Sequence, residues 1–260
     1  MTANPGTRNV IVLTHGWTGS SVFSALLGQA GYWLGGETVH KPDYNTYESA
    51  DLVALNRRLL RELHPTLAHE HRFDVADVLA IERAAEQLDL APYRDFVRSC
   101  DAQAPWLWKD PRLTWTIRVW ARALDLERIA VLVLTRDPVQ AWVSSNIRRH
   151  IQSPQFTRRY NDGITQSNLH FVRSSGLPCL QASFEDLLLR PEATLDRLNA
   201  AFGLALTMDT LRAVCSEPLY RKSRGPIDHA HALLIYLKNH ARRDGRSAGA
   251  TARRKADAAA

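Results

Sequence analysis

The sequence predicts a three-layer α/β/α fold around a mainly parallel sheet, and three observations lead there. Residues 129–134, Ile-Ala-Val-Leu-Val-Leu, are an uninterrupted apolar run of strand length, as suits a strand buried on both faces. Residues 10–14 are a second such run, β-branched at Val10, Ile11, Val12 and Thr14, and it ends in a glycine-punctuated turn. Helical periodicities alternate with these short runs along the chain, which is the pattern of parallel strands joined by crossover helices.

In chain order, residues 10–14, 15–19 and 20–31 read as strand, loop and helix. Residues 37–45 read as irregular, with Pro42 and Asn45 as breakers. The segment YESADLVALNRRLLREL that begins at Tyr47 sets Leu52, Leu55, Leu59 and Leu63 at helical spacing. Further helical stretches are expected around 75–88 and 93–103. Residues 106–108 form a short apolar run before Lys-Asp-Pro-Arg. Leu113, Ile117, Trp120 and Leu124 then resume the helical period, with Pro111 in the first turn, where its missing N–H costs nothing. After the strand at 129–134, Asp137 is placed to cap a helix with Pro138 at its first position. Residues 178–182 read as another strand, followed by helices from Phe184 and from Pro191 to Phe202.

With 260 residues, 45% of them hydrophobic, the chain can bury one core of domain size, and a single domain over 1–240 with a basic tail over 241–260 is expected. The tail has six Arg or Lys residues against Asp244 and Asp257, so it carries +4 of the formal +6. Without an apolar period it cannot offset its ordering entropy, and disorder is expected there. The +2 left on the body sets a nucleic-acid partner aside. No run of 18 apolar residues occurs and MTANPGTRNV lacks the marks of a leader, so no membrane partner and no export are expected. Cys100, Cys179 and Cys215 are odd in number and widely spaced, which suggests no disulfide framework, no metal site and a reducing cytoplasm.

Two motifs carry chemistry. In THGWTGSSVFSALL, Gly16 and Gly19 free the backbone to turn its N–H groups inward at a helix start, an arrangement that binds phosphate. Ser20 stands where a Walker A loop needs Lys, which weighs against a nucleoside-phosphate kinase. VIVLTHGWTGSS also has the form of the strand and oxyanion loop of an α/β-hydrolase esterase, yet the serines in VSSN, TQSN and RSSG lack the flanking glycines of a nucleophile elbow. Kinase and hydrolase are kept as alternatives. In LTRDPVQAWVSS, Arg136 leaves the strongest strand and Ser144 follows eight residues later, about two helical turns on. A guanidinium fork and a hydroxyl converging in this way suit a phosphomonoester; pairing of Arg136 with Asp137 is the plain alternative.

In this order and on these elements, the two motifs resemble those of the sulfotransferase superfamily that uses 3′-phosphoadenosine-5′-phosphosulfate (PAPS) as donor. The resemblance covers roughly residues 9–205. It implies a P-loop-like fold and sulfuryl transfer to a hydroxyl, with 3′,5′-adenosine bisphosphate (PAP) as product and no metal required. Thr18, Gly19, Ser20 and Ser21, with His15, Gly16 and Trp17 beside them, match the loop that holds the 5′-phosphosulfate; Arg136 and Ser144 match the 3′-phosphate site. WKDPR at 108–112 resembles the Lys-Asp-Pro element of tyrosylprotein and related bacterial sulfotransferases, whose Lys sits near the transferring group. Residues 183–204 resemble the helix pair that closes many bacterial members. LYRKSRG at 219–225 falls where many sulfotransferases place a basic loop over the 3′-phosphate, so Lys222 and Arg224, with Arg221 beside them, join that set unless they form a solvated basic turn.

One departure stands out: many members carry Lys or Arg where this chain has Trp17. Lys109 is the first candidate to supply that charge, then Arg112, then His15, with Lys109 otherwise an ion-pair partner of Asp110. The same departure motivates a third alternative, a nucleotide-binding module without catalysis. Transfer to a hydroxyl also needs a base, and Glu37, His40 and Glu48 are the candidates. Glu37 is preferred because its context and spacing resemble the glutamate base of tyrosylprotein sulfotransferases. Glu48 resembles an acidic position of bacterial small-molecule members and equally suits a helix start. The expected acceptor is a small hydroxylated metabolite, a sugar or phenol of bacterial secondary metabolism, taken by a monomer or homodimer. Trp33, Tyr44, Tyr47, Trp106 and Trp115 are candidates to line its pocket or to fill the core.

Overall fold

The two apolar runs become the centre of the sheet: β1 (Asn9–Thr14) is buried throughout, and β5 (Ile129–Thr135) is buried over its first six residues. The computed structural model describes residues 8–42, 44–69, 72–215 and 224–239. With β4 (Leu107–Lys109) and β6 (Cys179–Ser183) at the edges, the order is β4-β1-β5-β6, and every pairing is parallel. Side-chain alternation divides this sheet between two cores. Ile11, Leu13, Val131 and Val133 face one, and Val10, Val12, Leu132 and Leu134 face the other.

The second core is covered by α1 (Ser20–Gln29), α8 (Phe184–Leu189), α9 (Pro191–Phe202) and α10 (Met208–Val214). The first is covered by α2 (Ala50–Leu63), α3 (Val75–Ala84), α4 (Ala91–Asp101), α5 (Leu113–Trp120) and α7 (Pro154–Ser174). There Trp108 stacks on Trp106 with centroids 4.5 Å apart and meets Trp120 edge-on at 4.8 Å, an aromatic cluster that fixes β4 against α5. The α6 helix (Pro138–Ile147) begins as the sequence predicts, with Asp137 accepting from the amides of Val139 and Gln140, and α11 (Pro226–Asn239) packs against it. No described helix is long and apolar enough to cross a membrane.

Two stretches differ from the sequence reading. The strands β2 (Thr38–Lys41) and β3 (Tyr44–Ser49) pair as an antiparallel hairpin, so Thr38–Lys41 and Tyr44–Asn45 are regular, and α2 starts at Ala50 with Ser49 as its cap. The two expected breakers serve the hairpin: Pro42 sits in its turn, and Asn45 pairs with His40 while its side chain donates to the Thr38 hydroxyl at 2.9 Å. The 21-residue α7 helix was not legible, because Thr157, Asn161, Ser167 and Asn168 stand among its buried positions and erase the apolar stripe. Lys222, Arg221 and the tail at 241–260 lie outside the described residues.

A buried polar node orients the Lys-Asp-Pro-Arg turn. The Asn56 side chain of α2, fully buried, donates to Asp110 at 2.9 Å and accepts from the Thr116 hydroxyl at 2.7 Å and the Trp120 indole at 2.8 Å. Asn56→Leu removes a buried hydrogen bond from all three partners and leaves the Trp120 indole without its acceptor, and it should destabilise the fold by about 2–4 kcal/mol in urea denaturation, whereas Arg58→Ala, which removes an exposed ion pair with Glu62, should cost less than ~1 kcal/mol.

Candidate active site

Parallel strands deliver their carboxyl ends to one edge of the sheet, where Thr14, Lys109, Thr135 and Ser183 stand. A cavity of about 600 Å³ opens over that edge, between the β1–α1 loop, the β2–β3 hairpin and the second half of α6.

The loop after β1 is closed by a 2.5 Å hydrogen bond between the Thr14 and Thr18 hydroxyls. Gly19 adopts φ 73°, and a Cβ there would lie 2.4 Å from the Phe184 ring, so the position requires glycine for both conformation and space. Trp17 also lies in the left-handed region, at φ 68°. Side chains cap α2, α3, α6, α7, α8 and α10, but none caps α1, and no acidic residue occupies its first turn. The positive end of α1, with Ser20 and Ser21, therefore meets the cavity without a protein carboxylate on it.

His15 does not supply charge here. Its ring is buried and Nδ1 donates to the Gly16 carbonyl at 2.7 Å. Burial, with a smaller contribution from Arg136, pushes its pKa down to about 4, which makes it a neutral structural group at pH 7.

At one end of the cavity stand Arg136, Ser144 and Arg224. Arg136 leaves β5 with its guanidinium 4.9 Å above the Phe184 ring, donating to the Trp17 carbonyl at 2.9 Å and facing Glu185 at 3.6 Å. Burial lowers its pKa and Glu185 opposes that shift. The carboxylate of Asp137 is engaged as the α6 cap. Ser144, buried two turns into α6, accepts from Arg224 Nε at 3.3 Å, and the Gln140 amide holds the Arg224 backbone at 2.6 and 3.1 Å.

At the other end Lys109, buried at the close of β4, donates to Glu48 Oε1 at 2.7 Å and to the Thr46 carbonyl at 3.0 Å. Its ion-pair partner is thus Glu48 and not Asp110, whose carboxylate takes Asn56 and Arg112. Arg112, held by that carboxylate, lines a second cavity beside the first. Glu37 and His40 are exposed and line neither cavity, because the hairpin register turns Glu48 inward in their place. Among the aromatic candidates, Tyr44 and Tyr47 line the main cavity, Trp115 the second, and Trp33 a third with Tyr47, while Trp106 is core.

Sequence reasoning missed Arg148. It lines the main cavity, its guanidinium 5.7 Å from the Trp17 ring centroid and 5.2 Å from that of Tyr44. The available signal was its spacing, four residues after Ser144 and so on the same helical face.

A family model described as the sulfotransferase family matches residues 9–208. No curated protein matches significantly. Among solved structures, the sulfotransferase domain from the curacin biosynthetic pathway is similar at 16% identity, covering 88% of this chain and 83% of that one with a TM-score of 0.51. The sulfotransferase domain from the Synechococcus PCC 7002 olefin synthase matches at 16% identity, 87% and 85% coverage and TM-score 0.49. Sulfotransferase STF9 from Mycobacterium avium matches at 14% identity, 93% and 78% coverage and TM-score 0.43. At 16% identity the first of these likenesses concerns the fold.

The depressed pKa of His15 gives a pH signature. In the unfolded chain its imidazole titrates near 6.5 and in the fold near 4, so between those values the unfolded state binds more protons and stability falls as pH drops. Above pH 6.5 both states are neutral there and the contribution is constant. Urea denaturation should therefore show a loss approaching roughly 3 kcal/mol from this group between pH 7 and pH 4, and His15→Asn should flatten that part of the profile.

Proposed function

The chain belongs to the sulfotransferase family, and from that premise we propose that it is a PAPS-dependent enzyme that sulfates the hydroxyl of a small molecule. The observation that carries the donor assignment is the convergence of Arg136, Ser144 and Arg224 at one end of a cavity whose middle is the uncapped start of α1. A terminal phosphate suits the two guanidinium groups and the hydroxyl, and a second phosphate suits the α1 amides with Ser20 and Ser21. A volume of about 600 Å³ falls in the range of nucleotide-sized ligand sites.

When bound, PAPS supplies a sulfuryl group that passes to the acceptor oxygen as PAP leaves. The protein's part is to position and to spread charge. Lys109 and Arg148 bring positive charge to the end where Trp17 stands, and the aromatic faces of Trp17 and Tyr44 hold the Arg148 guanidinium in place. Glu48, which faces both cavities, takes the proton that the acceptor hydroxyl gives up. Glu48 replaces Glu37 as the preferred base because it faces the cavities and Glu37 does not.

Calorimetric titration tests the donor assignment. PAP should bind the wild-type protein tightly and ATP weakly; Arg136→Ala should weaken PAP by about a hundredfold and Arg148→Ala by less, since losing one charge-assisted contact costs roughly 1.5–3 kcal/mol. Failure of the folded wild-type protein to bind PAP would overturn the reading. For the base, Glu48→Gln should lower turnover by about 10²–10⁴ while PAP affinity is kept, with Glu37→Gln near wild type; the reverse pattern would return the role to Glu37.

A further inference from the structure

At one end of the main cavity two guanidinium groups stand close enough to oppose each other. Burial lowers the pKa of Arg136, Glu185 opposes that shift, and the positive charge of Arg224 adds to it. A phosphate relieves such a repulsion once it is bound. Until then, something else must keep Arg224 beside Arg136.

The restraint comes from α6. Asp137 accepts from the amides of Val139 and Gln140 as the helix cap, which fixes the backbone at residue 140. Gln140 and Ser144 are four residues apart and so share one face of the helix. The Gln140 carboxamide accepts from the Arg224 amide at 2.6 Å and donates to the Arg224 carbonyl at 3.1 Å, pairing with that residue as a neighbouring strand would. Its nitrogen also meets Nε2 of His229, near the start of α11, at 3.3 Å. One turn along α6, the Ser144 hydroxyl accepts from Arg224 Nε at 3.3 Å. Backbone and side chain of Arg224 are thus held from a single helix face. The Asp228 carboxylate, 3.9 Å from Nη1, is a looser contact. Gln140 itself does not line the cavity.

Resting on the donor assignment above, we propose that Gln140 is a positioning residue that sets the preference for a donor carrying a 3′-phosphate. By pairing with the Arg224 backbone it holds the second guanidinium at the phosphate end against the charge of Arg136. Ordering a long arginine side chain and bringing two like charges together are then accomplished by folding, and the phosphate meets a preorganised pair. A nucleotide whose ribose lacks the 3′-phosphate gains nothing from that placement. The contribution of Gln140 therefore lies in selectivity.

Calorimetric titration with PAP and with 5′-AMP, which lacks the 3′-phosphate, tests this. Gln140→Met keeps a long unbranched side chain in α6 and removes both hydrogen bonds to Arg224. It should weaken PAP about tenfold and leave 5′-AMP within about twofold of wild type. Val139→Ala, at an exposed neighbouring position, should leave the preference for PAP at its wild-type value. In an Arg224→Ala background, Gln140→Met should change PAP affinity by less than about twofold, because the group it positions is gone. If Gln140→Met does not fold, Gln140→Ala gives the same readout. A preference for PAP that survives the loss of Gln140, an equal loss for both nucleotides, or a tenfold loss that persists without the Arg224 side chain overturns the proposal. A wild-type protein that binds PAP no better than 5′-AMP overturns the donor assignment and this proposal with it.

Discussion

The ring of Phe184 is the contact on which the candidate site depends. One part of it lies where a Cβ of Gly19 would be, 2.4 Å away, and its face carries the Arg136 guanidinium at 4.9 Å. A residue at the junction of β6 and α8 thereby sets both the height of the β1–α1 loop and the direction of the arginine leaving β5. Arg136 adds a hydrogen bond to the Trp17 carbonyl, so loop and guanidinium are locked to each other as well as to the ring. The glycine at 19 follows from this packing at least as much as from its positive φ. Without the close approach, the α1 amides and Arg136 would not face the same volume.

Charge is arranged along that volume by burial. Arg136 and Arg224 occupy one end, and the Lys109–Glu48 pair occupies the other. His15, which is nearest the loop in sequence, is kept neutral by burial and by the Arg136 field. A protonated imidazole there would repel Arg136, so neutrality at 15 stabilises the cation at 136. Trp17 fits the same logic. It brings no charge of its own, but its ring and that of Tyr44 hold an exposed arginine, Arg148 at the C-terminal cap of α6, over the cavity, which moves the source of positive charge from the loop to the end of the neighbouring helix.

What could be read in the sequence was whatever depends on local chemistry. The runs at 10–14 and 129–134, the glycines of the loop, Asp137 with Pro138, and the serine two turns beyond Arg136 each carry a physical reason within a few residues, and the fold bears out the strands, the cap and the parallel sheet. The choice among Glu37, His40 and Glu48 had no such reason. It turns on the hairpin register, which shifts between Thr38 and His40 and passes through Tyr47 at φ 56°, so counting along the chain does not tell which carboxylate faces inward. The α7 helix failed for the opposite cause: its buried face mixes Thr157, Asn161, Ser167 and Asn168 with Ile164, Phe171 and Val172, so a periodicity built on apolar residues passes over it.

These two illegible pieces both line the second cavity, beside Trp115, Arg112 and the loop after β1, and that coincidence has a physical basis. A donor common to a family can be held by backbone amides, a glycine and an arginine at the sheet's edge, where the parallel fold itself dictates geometry. Polar side chains at buried helix positions, such as Asn161, break the patterns by which folds are recognised. Thr157 and Asn161, two of the buried polar residues that hide α7 in the sequence, also line that cavity. In this chain the segment least legible in the sequence lines a cavity because polar side chains stand there where folding alone would prefer apolar ones.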